Sequence, residues 1–247
     1  LSSLEHIRLR PGMYIGRLGN GSHPDDGIYV LLKEIIDNAV DEFTMKHGNR
    51  VEVTILDDTV TVRDYGRGIP LGKVVECVSV INTGAKYDSE AFQFSVGLNG
   101  VGTKAVNALS SEFLVRSYRE GKYVEATFKD GVLDKKKSGS TKEPDGTFVS
   151  FRPDPTLFPD FHYHDDIVLD RLWSYAYLNT GLTIEYNKTI IKSQHGLLDL
   201  LSKVLGDEGL YPTIHFKNEH LEFAFTHTSG YGENYFSYVN GQNTSDG

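Results

Sequence analysis

Apolar positions follow two rhythms along this chain. From Ile28 to Phe43 they recur at helical spacing, with Ile28, Leu31, Leu32, Ile35, Ile36, Ala39 and Phe43 on one stripe. The rhythm then shortens to two. Val51-Glu52-Val53-Thr54-Ile55 and Val60-Thr61-Val62-Arg63 alternate as half-buried strands, with Asp57-Asp58 turning between them. Thr103 to Leu109 reads as a helix opened by a Gly-rich turn. Tyr123 to Phe128 and Thr147 to Arg152 read as strands flanking a Lys-, Ser- and Gly-rich loop that holds Lys135-Lys136-Lys137. Pro153, Pro155 and Pro159 mark an extended connection, and Ile167–Leu178 and Gly196–Leu205 return to helical spacing. A strand beginning near Tyr211-Pro212 and the alternating run Leu221-Glu222-Phe223-Ala224-Phe225 open a second unit. No internal repeat is visible.

Three polar clusters fall at places this pattern fixes. On the first long helix, Glu34, Asn38 and Asp41 at i, i+4 and i+7 share the face opposite the apolar stripe. Most such faces are only solvated. Here, however, Asn is a poor helix-interior residue, and short carboxylates replace the Lys, Gln or Arg that serve solubility. Short oxygen ligands suit Mg²⁺, which takes one or two protein groups beside phosphates, and a Glu one turn away can take a proton from water. Asp64 ends the second strand just before Gly66 and Gly68, where a carboxylate can accept from an exocyclic amine and select adenine over guanine. Taken alone, it is an ordinary Asp-x-Gly turn. Gly97-Leu98-Asn99-Gly100-Val101-Gly102-Thr103-Lys104 comes close to a P-loop, but its Thr and Lys are reversed and no strand precedes it. A Gly-rich turn into a helix still offers backbone N–H groups to phosphates and can serve as a mobile lid. In this order the three clusters make an ATP site.

These motifs resemble the N, G1 and G2 boxes of the GHKL ATPases: gyrase and its relatives, heat-shock chaperones, sensor histidine kinases and mismatch-repair MutL proteins. Arg8-Leu9-Arg10-Pro11-Gly12-Met13-Tyr14-Ile15-Gly16, Arg67-Gly68-Ile69-Pro70 and Val106-Asn107-Ala108-Leu109-Ser110 resemble the ATPase subunit of bacterial type IIA DNA topoisomerases. That subunit is gyrase B or its topoisomerase IV counterpart, and Asn99 and Thr103-Lys104 lean towards the latter. Tyr238-Val239-Asn240-Gly241-Gln242-Asn243-Thr244 is similar to the start of that subunit's transducer domain.

The resemblance implies an α+β fold, the GHKL (Bergerat) two-layer sandwich: a mixed, mostly antiparallel sheet with helices on one face. The GHKL domain would occupy residues 1–208, and a truncated start of the transducer 209–247. It implies ATP and Mg²⁺, with Glu34 as general base and Asn38 as metal ligand. Asp64 would bind the adenine amine beside Gly68, Ile69 and Thr147, and Lys86, Gly97, Leu98, Asn99, Gly100, Val101 and Gly102 would hold the phosphates. Arg67, Pro70 and Arg119 would form the rim that aminocoumarin-type inhibitors contact. The implied role is the ATP-driven gate of DNA strand passage, with ATP-dependent dimerisation of two such regions. The implied partners are a DNA-cleaving subunit of the gyrase A type, or its topoisomerase IV equivalent, and DNA through the full complex. The chain stops at Gly247 where the family continues, so the transducer lysine, the cleavage region and the DNA-attacking tyrosine are expected outside it. Two departures stand out: Val30 occupies the place of a His that orients the base, and Asn99 that of a His in the phosphate loop.

Composition narrows this further. A 247-residue chain that is 39 % hydrophobic and 24 % charged suits a large globular domain plus part of another. No apolar run reaches the length of a membrane span and no signal pattern opens the chain. With Cys77 as the single cysteine, the expectation is a cytoplasmic protein without a membrane partner. A net charge of −9 argues against this segment as the main DNA grip, since DNA affinity rests on Lys and Arg. His162-Tyr163-His164 lacks the spacing of a metal site. Two rivals remain: a histidine-kinase-like ATPase and a nucleotide-sensing module that does not act on DNA.

Overall fold

The computed structural model describes residues 2–81, 100–239 and 241–244. Helices α1 (Ser3–Leu9), α2 (Gly12–Ile15) and the long α3 (Gly27–Thr44) lead into the hairpin β1 (Arg50–Leu56) and β2 (Thr59–Asp64). Next come α4 (Val74–Ser79) and α5 (Gly102–Ala108), then the strands β3 (Ser110–Arg119), β4 (Lys122–Lys129), β5 (Val132–Ser140) and β6 (Gly146–Pro153). Helix α6 (Asp165–Leu178), strands β7 (Thr183–Tyr186) and β8 (Thr189–Ile191) and helix α7 (Leu197–Leu205) follow. Two short pairs end the described chain, β9 (Ile214–Lys217) with β10 (Glu222–Phe225) and β11 (Tyr238–Val239) with β12 (Gln242–Asn243).

The first eight strands form one sheet in the order β5-β4-β3-β6-β2-β1-β7-β8. All its pairings are antiparallel except β1 with β7. The β1–β2 turn places both central residues at positive φ, Asp57 at 48° and Asp58 at 60°, the requirement of the tight hairpin turn whose twist matches the strands. His162 bonds Asp58 at 2.8 Å, and Tyr163 donates to the Ile28 carbonyl. The His-Tyr-His stretch thus latches the hairpin turn to α3.

The helices cover the apolar face. α3 packs on β1, β2 and β6 and against α5, α1 packs on α5, and α6 packs on β7 and β8. Val53, Val60, Val62, Val115 and Phe151 from the strands meet Leu31, Leu32, Ile36, Val106 and Leu172 from the helices in one core. Each such side chain contributes about 1.5–3 kcal/mol. Alternate strand positions face outward, where Arg50 pairs with Glu52 and Glu185. The mixed, mostly antiparallel α+β sandwich expected from the sequence is the observed one.

One expectation is corrected. Lys135-Lys136-Lys137 lies not in a loop but in β5, an edge strand whose every residue is exposed. Lysines on an edge discourage pairing with another chain, and full exposure removes the apolar alternation that marks a strand. The carboxy-terminal hairpin β9–β10 also stays open to solvent: Phe216, Phe223 and Phe225 stack on one another, each at least 40 % exposed. Among the described residues, no helix is long and apolar enough to cross a membrane.

Candidate functional site

A cleft opens between α3, β2 and the segments that flank α4 and α5. Ile35, Ala39, Val62, Ile69, Val78, Val115 and Val149 line it with apolar surface, and Asn38, Asp41, Asp64, Thr103 and Thr147 supply polar groups. Counted out to its mouth, with the open solvent there included, the space measures about 650 Å³.

Asp64 sits at its floor, only 7 % exposed. Its Oδ1 accepts from the backbone N–H of Gly66 at 2.9 Å and of Thr147 at 3.2 Å. Oδ2 has no hydrogen-bond partner among the described residues. Burial raises the carboxyl to about 6, against the pull of those two N–H groups. The chain runs close here for stated reasons. Gly68 has φ +73°, and a side-chain carbon on it would lie 2.5 Å from the Tyr118 carbonyl and 3.0 Å from Arg119. Gly146 lies so near Asp64 that only a hydrogen fits. Arg63 braces the same corner, stacked 4.5 Å from both Tyr65 and Tyr118 and donating to the Pro144 carbonyl.

The polar face of α3 turns into the cleft. Asn38 donates through Nδ2 to Thr103 Oγ1 at 2.8 Å, which leaves its Oδ1 as the open acceptor. Asp41 Oδ2 is buried without a hydrogen-bond partner, and burial, then Asp37 and Glu42, raise this carboxyl to about 7. Glu34 lies against the start of α5: a side-chain carbon on Gly102 would stand 1.9 Å from its Oε2. Burial raises Glu34 as well, Lys33 opposing and Asp37 adding. Lys104 turns back to donate to the Gly100 carbonyl at 2.6 Å, and burial lowers its ammonium.

Of the expected residues, Asn38, Asp64, Ile69 and Thr147 line one cleft; Gly68 adjoins Ile69, and Glu34 lies against Gly102 at the start of α5, with Gly100 and Val101 leading into that helix. Lys86, Gly97, Leu98 and Asn99 lie outside the described residues. Of the rim residues, Arg67 is no free surface cation. Its guanidinium and backbone N–H both bond the buried Glu42, at 2.9 and 2.8 Å. Pro70 closes the Arg67–Pro70 turn, held by Ser117 Oγ donating to the Ile69 carbonyl. Arg119 ends β3 with its side chain beside Gly68. Sequence reasoning missed Thr103 as the partner of Asn38 and Cys77 as part of the wall, neither of which carried a signal, whereas Asp41, set on the shared polar face by its i+7 spacing from Glu34, does line the cleft.

The family profile described as histidine kinase-, DNA gyrase B-, and HSP90-like ATPase matches residues 24–157. The B subunit of DNA topoisomerase 4 from Borreliella burgdorferi is 58 % identical over the whole chain, which covers 41 % of that relative. Its counterpart from Bacillus subtilis is 36 % identical, with 40 % of its length covered, and the B subunit of DNA gyrase from Thermotoga maritima is 34 % identical, with 43 % covered. The chain thus spans about two-fifths of these relatives. The 43K ATPase domain of Thermus thermophilus gyrase B, solved with an aminocoumarin, superposes with a TM-score of 0.79 at 29 % identity, over all of this chain and 68 % of that one. The profile takes in α3, β2 and the strands around the cleft. The chain belongs to the histidine kinase-, DNA gyrase B- and HSP90-like ATPase family.

Proposed function

We propose that this chain is the ATP-binding and hydrolysing gate region of a type II DNA topoisomerase, of the gyrase B kind or its topoisomerase IV counterpart. One observation carries the nucleotide reading. Asp64 has one oxygen fixed by two backbone N–H groups and the other open at the floor of an apolar slot, which the Glu34–Asn38 face of α3 borders. An adenine amine donates to that open oxygen while the ring lies between Ile69, Val78 and Val149. Guanine presents a carbonyl at the same place and is refused, because two acceptors face each other.

The triphosphate then runs along α3 towards Gly100–Gly102. The oxygen donors here fit Mg²⁺: Asn38 Oδ1 is free, Asp41 Oδ2 is unsatisfied, and no imidazole competes among the residues lining the cleft. Bound there, with Asn38 as its protein ligand, the ion would neutralise phosphate charge. Glu34, with no hydrogen bond to its carboxylate among the described residues, takes the proton of the attacking water. The water oxygen bonds to the γ-phosphorus, the bridging P–O bond breaks, and ADP leaves with its electron pair. Arg67, Pro70 and Arg119 form the outer rim. Nucleotide-dependent pairing of two such regions, with a DNA-cleaving partner subunit and DNA, would convert this cycle into strand passage.

Glu34→Ala tests the base. Turnover should fall at least about 100-fold while nucleotide binding stays within a few-fold. Unchanged hydrolysis by the full-length variant would refute the assignment. ATP-dependent relaxation, supercoiling and decatenation by the full-length protein with its cleavage partner test the gate role.

A further inference from the structure

Lys33 and Asp37 flank the proposed base on α3, one residue before it and three after. The Lys33 ammonium reaches Asp37 Oδ2 at 2.5 Å. Asp37 is also held from two other elements. Tyr175 of α6 donates its hydroxyl to Oδ1, and Gln242 of β12 donates its amide to Oδ2 at 3.4 Å. Tyr175 is only 8 % exposed, so its hydroxyl is fixed where Asp37 needs it. Three donors from three parts of the chain converge on one carboxylate, which is not among the groups that line the cleft.

This convergence matters because of what sits between the paired residues. Lys33 is the neighbour of Glu34 in sequence, and a lysine has a flexible four-carbon stem with a strongly hydrated point charge. Released, its ammonium would close on Glu34, the carboxylate beside it that lacks a partner. An ammonium there would occupy the lone pairs that must receive the proton of water and would weaken the carboxylate as a base. Val30, one turn before Glu34, offers no polar group that could hold the base in competition.

We propose that Asp37 is a positioning residue that holds the Lys33 ammonium off Glu34, and that Tyr175 and Gln242 fix Asp37 for that task. The base thereby stays unpaired and open to water. This rests on Glu34 being the base. Charge effects run the same way, since Lys33 and Asp37 act on the Glu34 carboxyl in opposite directions. Because Gln242 belongs to the carboxy-terminal pair β11–β12, the device also ties the state of that segment to the helix that carries Glu34 and Asn38.

The test is a double-variant cycle on steady-state ATP hydrolysis by the full-length protein, with a fluorescent ATP analogue reporting the binding site in each variant. Asp37→Asn keeps the shape but loses the charge that retains Lys33. It should lower kcat about tenfold and move KM less than about twofold. Adding Lys33→Met removes the intruding cation, so the double variant should recover to within about threefold of the parent kcat. Tyr175→Phe should lower kcat in the same direction by less, and Lys33→Met should restore that loss too. A parental kcat in Asp37→Asn, or a double variant as impaired as the single one, overturns the proposal, because a purely structural role for Asp37 gives no recovery. Glu34→Ala runs beside them. If it retains turnover the base reading fails, and this proposal with it; if it is inactive, the cycle alone decides.

Discussion

Asp64 shows at the scale of one residue how function is set against stability. Its carboxyl titrates at about 6 in the folded chain against an ordinary 3.8, chiefly because burial disfavours the charge. The sign follows directly. Well below pH 4 the group is neutral in both states and costs nothing. As pH rises towards 6 the unfolded chain ionises first, so folding loses free energy, up to about 3 kcal/mol, and the loss persists at higher pH. In the proposed adenine-binding role the charge has a use, because the ionised carboxylate presents an open acceptor to an amine. Protonation would fall on Oδ2, since Oδ1 is committed to two N–H donors, and the pocket would then offer a donor to a donor. ATP affinity should therefore weaken as pH falls through 6. Asp64→Asn separates the two effects: its carbonyl keeps the bonds from Gly66 and Thr147, and its amide faces the pocket. It should lose at least about 100-fold in ATP affinity, while its urea midpoint at pH 8 rises above that of the parent. Equal midpoints at pH 8 would show that the buried charge is not a burden on the fold.

At the scale of elements, the site is where α5 meets α3. Gly102 begins α5 with an ordinary backbone conformation, so alanine there meets no backbone strain and gains some helix propensity. What excludes a side chain is the Glu34 carboxylate. Gly102→Ala should leave thermal stability equal or higher yet cut kcat roughly 100-fold, because the methyl group displaces the base by about an ångström or more. A variant with parental kcat would show that Glu34 need not rest against this turn. Much of this arrangement is legible in the sequence. The Ile28–Phe43 stripe orients α3, and the Asp57-Asp58 turn fixes the register that puts Asp64 at a strand end. Other parts are not. β5 is exposed along its whole length and carries no alternation, and β3 follows α5 with no turn residue between them, so neither reads as a strand. The Asn38–Thr103 bond and the contacts of Asp37 with Tyr175 and Gln242 join residues far apart in the chain, and only tertiary packing brings them together.

At the scale of the whole molecule, burial divides the chain unevenly. Among the described residues, the apolar core runs from Leu4 to Ile191, and the last buried residue is Gly196. Beyond it, α7 packs on α6 and on β10, and Glu222 of β10 comes close to Gly196. The aromatic residues Phe216, Phe223, Phe225, Tyr231 and Tyr235 remain open to solvent. A core that closes before residue 194 needs nothing from the later strands to exclude water, so we propose that the boundary at 208/209 separates a unit that folds alone from one that does not. A chain ending at residue 208 should unfold cooperatively within a few degrees of the 247-residue chain, since the core from Leu4 to Ile191 is kept whole. It should bind ATP within a few-fold, because every cleft residue precedes residue 150. It should also self-associate less at high concentration, as the open aromatic face is gone. Loss of cooperative melting on removing residues 209–247, followed by calorimetry with and without nucleotide, would instead make the exposed hairpin part of the ATPase fold.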